Sequence, residues 1–136
     1  MRLFLDSSVL LSAAGSEKSL SRLIVTIADD WGWELVTAFY CRDETNRNLG
    51  KFPPKAAKTW KLLQEDLSFT PNALTSTRPL LLTASKDKPV LISALAAKCN
   101  VLLTLDTGDF GILIDTKVYG MLVTTPRSFL IEQRLG

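Results

Sequence analysis

Short apolar runs and helical stripes alternate along the whole chain. Residues 2–6, RLFLD, form a compact apolar run ending in Asp6, the pattern of a buried strand. Ser7 and Ser8 then lead into Val9–Ala14, a short helix with a hydroxyl to cap it and Gly15 to end it. Behind Ser19, the positions Leu20, Leu23, Ile24 and Ile27 fall at i, i+3, i+4 and i+7, one apolar stripe of a helix reaching Asp29-Asp30. Residues 33–37, WELVT, predict a second strand, and residues 38–50 a helix stopping at Gly50. Pro53-Pro54 open another helix whose Ala56, Trp60 and Leu63 share a face. Leu67–Thr70 predicts a third strand, and a short helix is expected around Pro79–Ala84. A helix then runs from Pro89 to about Lys98, followed by the strand 101–106, VLLTLD, a last strand at Met121–Thr125 and a final helix over Pro126–Arg134.

Strands alternating with helices imply βαβ units. The fold class is α/β: a three-layer α/β/α sandwich around a central parallel sheet. With 136 residues and no linker or repeat, residues 1–136 are expected to form one domain. No run approaches ~18 consecutive apolar residues, so no membrane span is expected. Two cysteines, and an N-terminal stretch interrupted by Asp6, favour a reducing, cytoplasmic setting.

Composition narrows the chemistry more sharply than charge does. The formal net charge is only +2, which neither announces a nucleic-acid partner nor excludes one. There is no histidine, so a Ser-His-Asp triad, an imidazole acid–base pair and His-ligated zinc are all excluded. Two cysteines cannot make a Cys₄ zinc site. Carboxylate, hydroxyl, Lys/Arg and thiol chemistry remain.

The two most apolar strands both end in aspartate, Asp6 and Asp106. In open α/β sheets, ligand sites lie beyond the carboxyl ends of the strands, so both side chains are expected at one crevice. Each alone is equally compatible with helix capping or turn closure. Asp87 shares a helical face with Leu91, Ala94 and Leu95, where a carboxylate needs a partner or a cation, or else serves as an N-cap. Glu44 by itself reads as a surface residue paired with Arg47, and Asp109 in DTGDF as part of a polar turn. Arg47, Lys51, Lys55 and Lys58 make an approximate basic stripe, and Trp31, Trp33 and Trp60 are candidates for core, interface or base stacking.

Taken together, FLDSSVLLSA at 4–13, ETNRNL at 44–49, DKPVLISALA at 87–96, VLLTLDTGDF at 101–110 and VTTPRSFL at 123–130 resemble the PIN-domain family, and within it the toxin-like ribonucleases of the VapC type. The 19-residue step from Asp87 to Asp106 fits that family's helix-then-strand spacing. The resemblance implies an acidic site made of Asp6, Glu44, Asp87 and Asp106, with Asp109 as an auxiliary carboxylate and Ser7 and Thr104 as neighbouring hydroxyls. It also implies metal-dependent endoribonuclease activity leaving a 5′-phosphate and a 3′-hydroxyl, an antitoxin partner and a homodimer. Physical chemistry converges on the metal. Two carboxylates ~5 Å apart repel by about 3–4 kcal/mol at an effective dielectric of 20, so a cluster of four calls for protons or a divalent cation. Oxygen-only ligands select Mg²⁺ or Mn²⁺ over zinc. A binding module on the same scaffold, without cleavage, is the alternative. Phosphotransfer domains fit poorly, because Ser8 stands where a second aspartate is wanted and residues 53–57 read PPKAA where an acceptor strand would end.

Overall fold

The structure is a computed structural model and describes residues 1–71 and 88–134. In chain order the elements are β1 (Arg2–Leu5), α1 (Ser7–Gly15), α2 (Leu20–Trp31), β2 (Glu34–Ala38), α3 (Phe39–Asn48), α4 (Lys55–Leu63), β3 (Ser68–Thr70), α5 (Lys88–Ala96), β4 (Val101–Leu103), β5 (Thr116–Val118), β6 (Met121–Thr124) and α6 (Pro126–Glu132). They form the expected three-layer α/β/α sandwich. The sheet of the described residues has the order β3-β2-β1-β4-β6-β5. All neighbours pair parallel except β5 with β6.

The apolar runs read from the sequence become the sheet's centre. Leu3, Phe4 and Leu5 of β1 and Leu102 and Leu103 of β4 are wholly buried, with Phe110, Phe129 and Leu130 packed around them. From β1 the chain winds through β2 to β3, whereas from β4 it proceeds the other way to β6. Right-handed crossovers therefore put the β1–β2–β3 connections on one face and α5 on the other. The winding reverses between β1 and β4, and a crevice opens at their carboxyl ends.

Several expectations need correction. The strand 101–106 ends at Leu103, three residues before Asp106. Thr104 N–H still donates to Thr124 O of β6, and beyond it side-chain hydroxyls replace strand partners: Leu105 N–H donates to Ser8 Oγ and Asp106 N–H to Thr104 Oγ1, each at 3.0 Å. The sheet is not wholly parallel. Strand β5, not expected from the sequence, is a half-exposed antiparallel edge joined to β6 by the two-residue turn Tyr119-Gly120, both at positive φ. The α2 stripe is rotated: Ser21, Ile24, Val25 and Ala28 face inward, while Leu20 and Leu23 are exposed. Helix α1 packs against α2. Helix α3 ends at Asn48 and continues only as a 3₁₀ turn over Leu49–Lys51, and α6 stops at Glu132. The helix expected around Pro79–Ala84 lies outside the described residues.

Candidate functional site

Asp6 directly follows β1 and caps α1, its Oδ1 accepting the Ser7 N–H at 2.8 Å. Capping and site geometry thus coincide in one residue. Its other oxygen, Oδ2, accepts from Thr104 Oγ1 at 2.8 Å and from Ser8 Oγ at 3.1 Å. The Asp6 N–H donates to Leu103 O, which ties the residue to the end of β4. Asp6 is only 6% exposed. Burial raises its pKa above the ordinary carboxylate value, and the negative charge of Glu44 adds to the rise, against the bonds from Thr104, Ser7 and Ser8, which lower it.

Glu44 projects from α3 toward the same point. Its Oε1 accepts from the Ser7 hydroxyl at 2.7 Å. Tyr40, one helical turn earlier, also bonds to Glu44; burial, then the Glu44 charge and that bond, push the phenol upward. Asn48, one turn later, donates from its amide to the Glu44 carbonyl at 2.8 Å.

Asp106 is half-buried at the mouth of the loop after β4. Its N–H is held by Thr104, and its Oδ1 accepts the Asp109 N–H at 3.0 Å, closing the turn around Gly108. A single hydroxyl, Thr104 Oγ1, therefore links Asp6 with the backbone of Asp106.

Asp6, Glu44 and Asp106 line one cleft of about 230 Å³, together with Ser7, Ser8, Leu11, Tyr40, Asn48 and Val90. Three of the five carboxylates singled out in the sequence are thereby brought together. Asp87 lies outside the described residues. Asp109 does not line the cleft and meets Asp106 through its backbone N–H. Ser8, Tyr40 and Asn48 join the site without having been singled out for it; the signal was the i−4 and i+4 spacing of Tyr40 and Asn48 about Glu44.

The basic stripe Arg47, Lys51, Lys55 and Lys58 is exposed throughout, with Lys55 3.9 Å from Glu17. Trp33 and Trp60 are buried core residues; Trp31 is half-exposed and packs on Trp33 at 5.8 Å.

The cleft holds three carboxylates and no lysine or arginine among its described lining residues. Hard oxygen donors with uncompensated charge are the chemistry that a divalent cation satisfies. As placed, the described carboxylates are bound by hydroxyls and backbone amides and do not gather, three together, around one metal position.

No protein-family model matches the sequence, and no curated protein matches it. Among solved structures, the chain is similar to one chain of the crystal structure of VapBC2 from Rickettsia felis bound to a DNA fragment from their promoter. The TM-score is 0.64 and the identity 10%, over 92% of this chain and 98% of that one. The likeness is one of fold, and the fold is PIN-like. Among the described residues, no helix is long and apolar enough to cross a membrane.

Proposed function

We propose that the protein is a Mg²⁺- or Mn²⁺-dependent endoribonuclease of the VapC kind. The observation that carries this reading is that Asp6, Glu44 and Asp106 line one cleft at the β1–β4 reversal, with no lysine or arginine among its described lining residues. Asp6, Glu44 and Asp106, joined by Asp87, would hold the metal directly or through water, with Asp109 bracing Asp106. When bound, the divalent cation supplies Lewis-acid polarisation and countercharge for an RNA phosphodiester.

The chain's own groups supply position. Thr104, Ser8 and the Ser7 N–H hold Asp6 in a single orientation and keep its oxygens facing the cleft. The Ser7 hydroxyl and Tyr40 hold Glu44 across from it. With no histidine in the chain, proton transfer falls to water and carboxylates.

The fold likeness to a VapBC2 chain supports two further parts of the proposal, an antitoxin protein as partner and a toxin role for this chain. A second copy of the chain is the remaining proposed partner, seated on the apolar surface that Leu20, Leu23 and Trp31 leave exposed on α2. Sedimentation at micromolar concentration checks that part; a mass of 15.0 kDa there would rule out the homodimer.

Manganese binding tests the site itself. Titration of metal-free protein with Mn²⁺, followed through the paramagnetic signal of the free ion, should show saturable binding that Asp6→Asn or Glu44→Gln weakens at least tenfold. Equal binding by both variants and wild type would remove the metal from the cleft.

A further inference from the structure

Three planar groups lie against one another at the same carboxyl edge of the sheet. The rings of Phe39 and Phe69 are stacked, with centroids 5.9 Å apart and planes 11° from parallel. The guanidinium carbon of Arg42 sits 4.8 Å from the Phe39 centroid and 5.8 Å from that of Phe69. Arg42 is held in this pose by Asp43, whose Oδ1 accepts from Nε at 3.3 Å and from Nη2 at 3.2 Å. Phe69 packs against the hydrophobic core, but Phe39 does not belong to it and is 38% exposed. A single exposed ring is ordinary on a protein surface. Here the exposed ring belongs to an ordered stack with a cation attached.

The position of the stack gives it a use. Phe39 is the first residue of α3, next to Tyr40 and five residues before Glu44, both of which line the cleft. Five residues of α3 also turn by about 140°, so Phe39 lies on the β3 side of the helix and Glu44 on the cleft side. Phe69 comes from β3, beside β2, where Thr37 pairs with Phe69 and Ala38 with Thr70. The stack therefore lies at the same edge of the sheet as the carboxylate cleft, with the first turn of α3 between them. Aromatic rings and the arginine plane stack on any nucleobase, because every base has a π-face. Phenylalanine brings no hydrogen-bonding group, so the surface favours unpaired bases without choosing among them.

We propose that Phe39, Arg42 and Phe69 form a stacking platform for one nucleobase of single-stranded RNA whose strand passes over the first turn of α3 toward the cleft. The proposal rests on the ribonuclease reading of that cleft. Phe39 and Arg42 are positioning residues: they hold one nucleotide of the strand by stacking, with Asp43 keeping the Arg42 plane in place. Duplex RNA, whose bases are already covered on both faces, is a poor occupant.

The test uses the full chain carrying Asp106→Asn, with Mg²⁺ present, and a short mixed-sequence oligoribonucleotide containing 2-aminopurine. Binding should quench the 2-aminopurine fluorescence, and the same strand in a duplex should show no quenching. Phe39→Ala should weaken binding about tenfold or more and abolish the quenching. Phe39→Trp should preserve both, and Phe39→Leu, which keeps bulk and folding, should behave like the alanine variant. Circular dichroism confirms that each variant is folded. Unchanged affinity and quenching in Phe39→Ala and Phe39→Leu would overturn the platform and leave the ribonuclease reading standing. A protein that neither binds nor cuts any RNA would overturn both.

Discussion

The Thr104 hydroxyl donates to Asp6 Oδ2 at 2.8 Å while accepting the Asp106 N–H at 3.0 Å, so one buried side chain fixes both aspartates of the cleft. A hydrogen bond to a charged group is worth about 1.5–3 kcal/mol, and losing it leaves buried polar groups unpaired. Thr104→Val keeps the shape and removes the hydroxyl. It should lower stability by about 1.5–3 kcal/mol in urea unfolding, with Thr104→Ser costing clearly less. Equal losses in the two variants would mean that the methyl group, not the hydroxyl, carries the effect.

The buried Asp6 carboxyl also sets a pH dependence in metal-free protein. Burial raises its pKa in the fold above the unfolded value of about 3.9. A raised carboxyl binds more protons folded than unfolded. Its contribution to stability is therefore complete below the unfolded pKa and is lost as pH rises through the folded one. In EDTA, Asp6→Asn should be more stable than wild type at neutral pH, and the difference should shrink as pH falls toward 4. Calorimetry across that range checks it. A difference that grows on acidification would show that the three hydrogen bonds outweigh burial.

Cys41 is wholly buried beside the site, and burial, with the Asp6 charge adding, pushes its thiol up to about 12. Cys99 is buried and raised as well, mainly by burial, with Arg2 working in the opposite direction. Thiolate is the reactive form, so a thiol-specific reagent at pH 8 should leave Cys41 unmodified in the native protein. Cys99 should react first, and both should react promptly in denaturant. Rapid labelling of native Cys41 would reveal local opening of α3.

Apolar runs marked β1, β2, β4 and β6 well, because a strand buried on both faces must be apolar throughout. Pro53-Pro54 likewise marked the start of the helix that buries Ala56 and Trp60. Strand β5 was invisible: TKV is polar, short and half-exposed, and only the Tyr119-Gly120 turn makes it a strand. The end of β4 at Leu103 was equally hidden, since the bond from the Leu105 N–H to the Ser8 hydroxyl, 97 positions away, leaves no periodicity. Of the site, Asp6 and Asp106 stood out as the ends of apolar runs. Glu44 did not; on its own it looked like a solvated helix residue, and only the family resemblance singled it out. Its place in the cleft depends on the bond from Ser7, a contact across 37 positions. Phe39 escaped notice for a related reason: an aromatic residue at a strand–helix junction looks like core until the stack with Phe69 is seen.

Cleavage of RNA under defined metal conditions tests the central claim most directly. Purified wild type and Asp106→Asn are incubated in parallel with a mixture of structured and unstructured RNAs, in Mg²⁺, in Mn²⁺ and in EDTA. Wild type should cut in either metal and stop in EDTA, leaving 5′-phosphate ends, and Asp106→Asn should be slower by ~10²-fold or more. Cleavage that persists in EDTA or is equal in the variant would contradict the account, as would a folded, metal-loaded wild type that cuts no RNA.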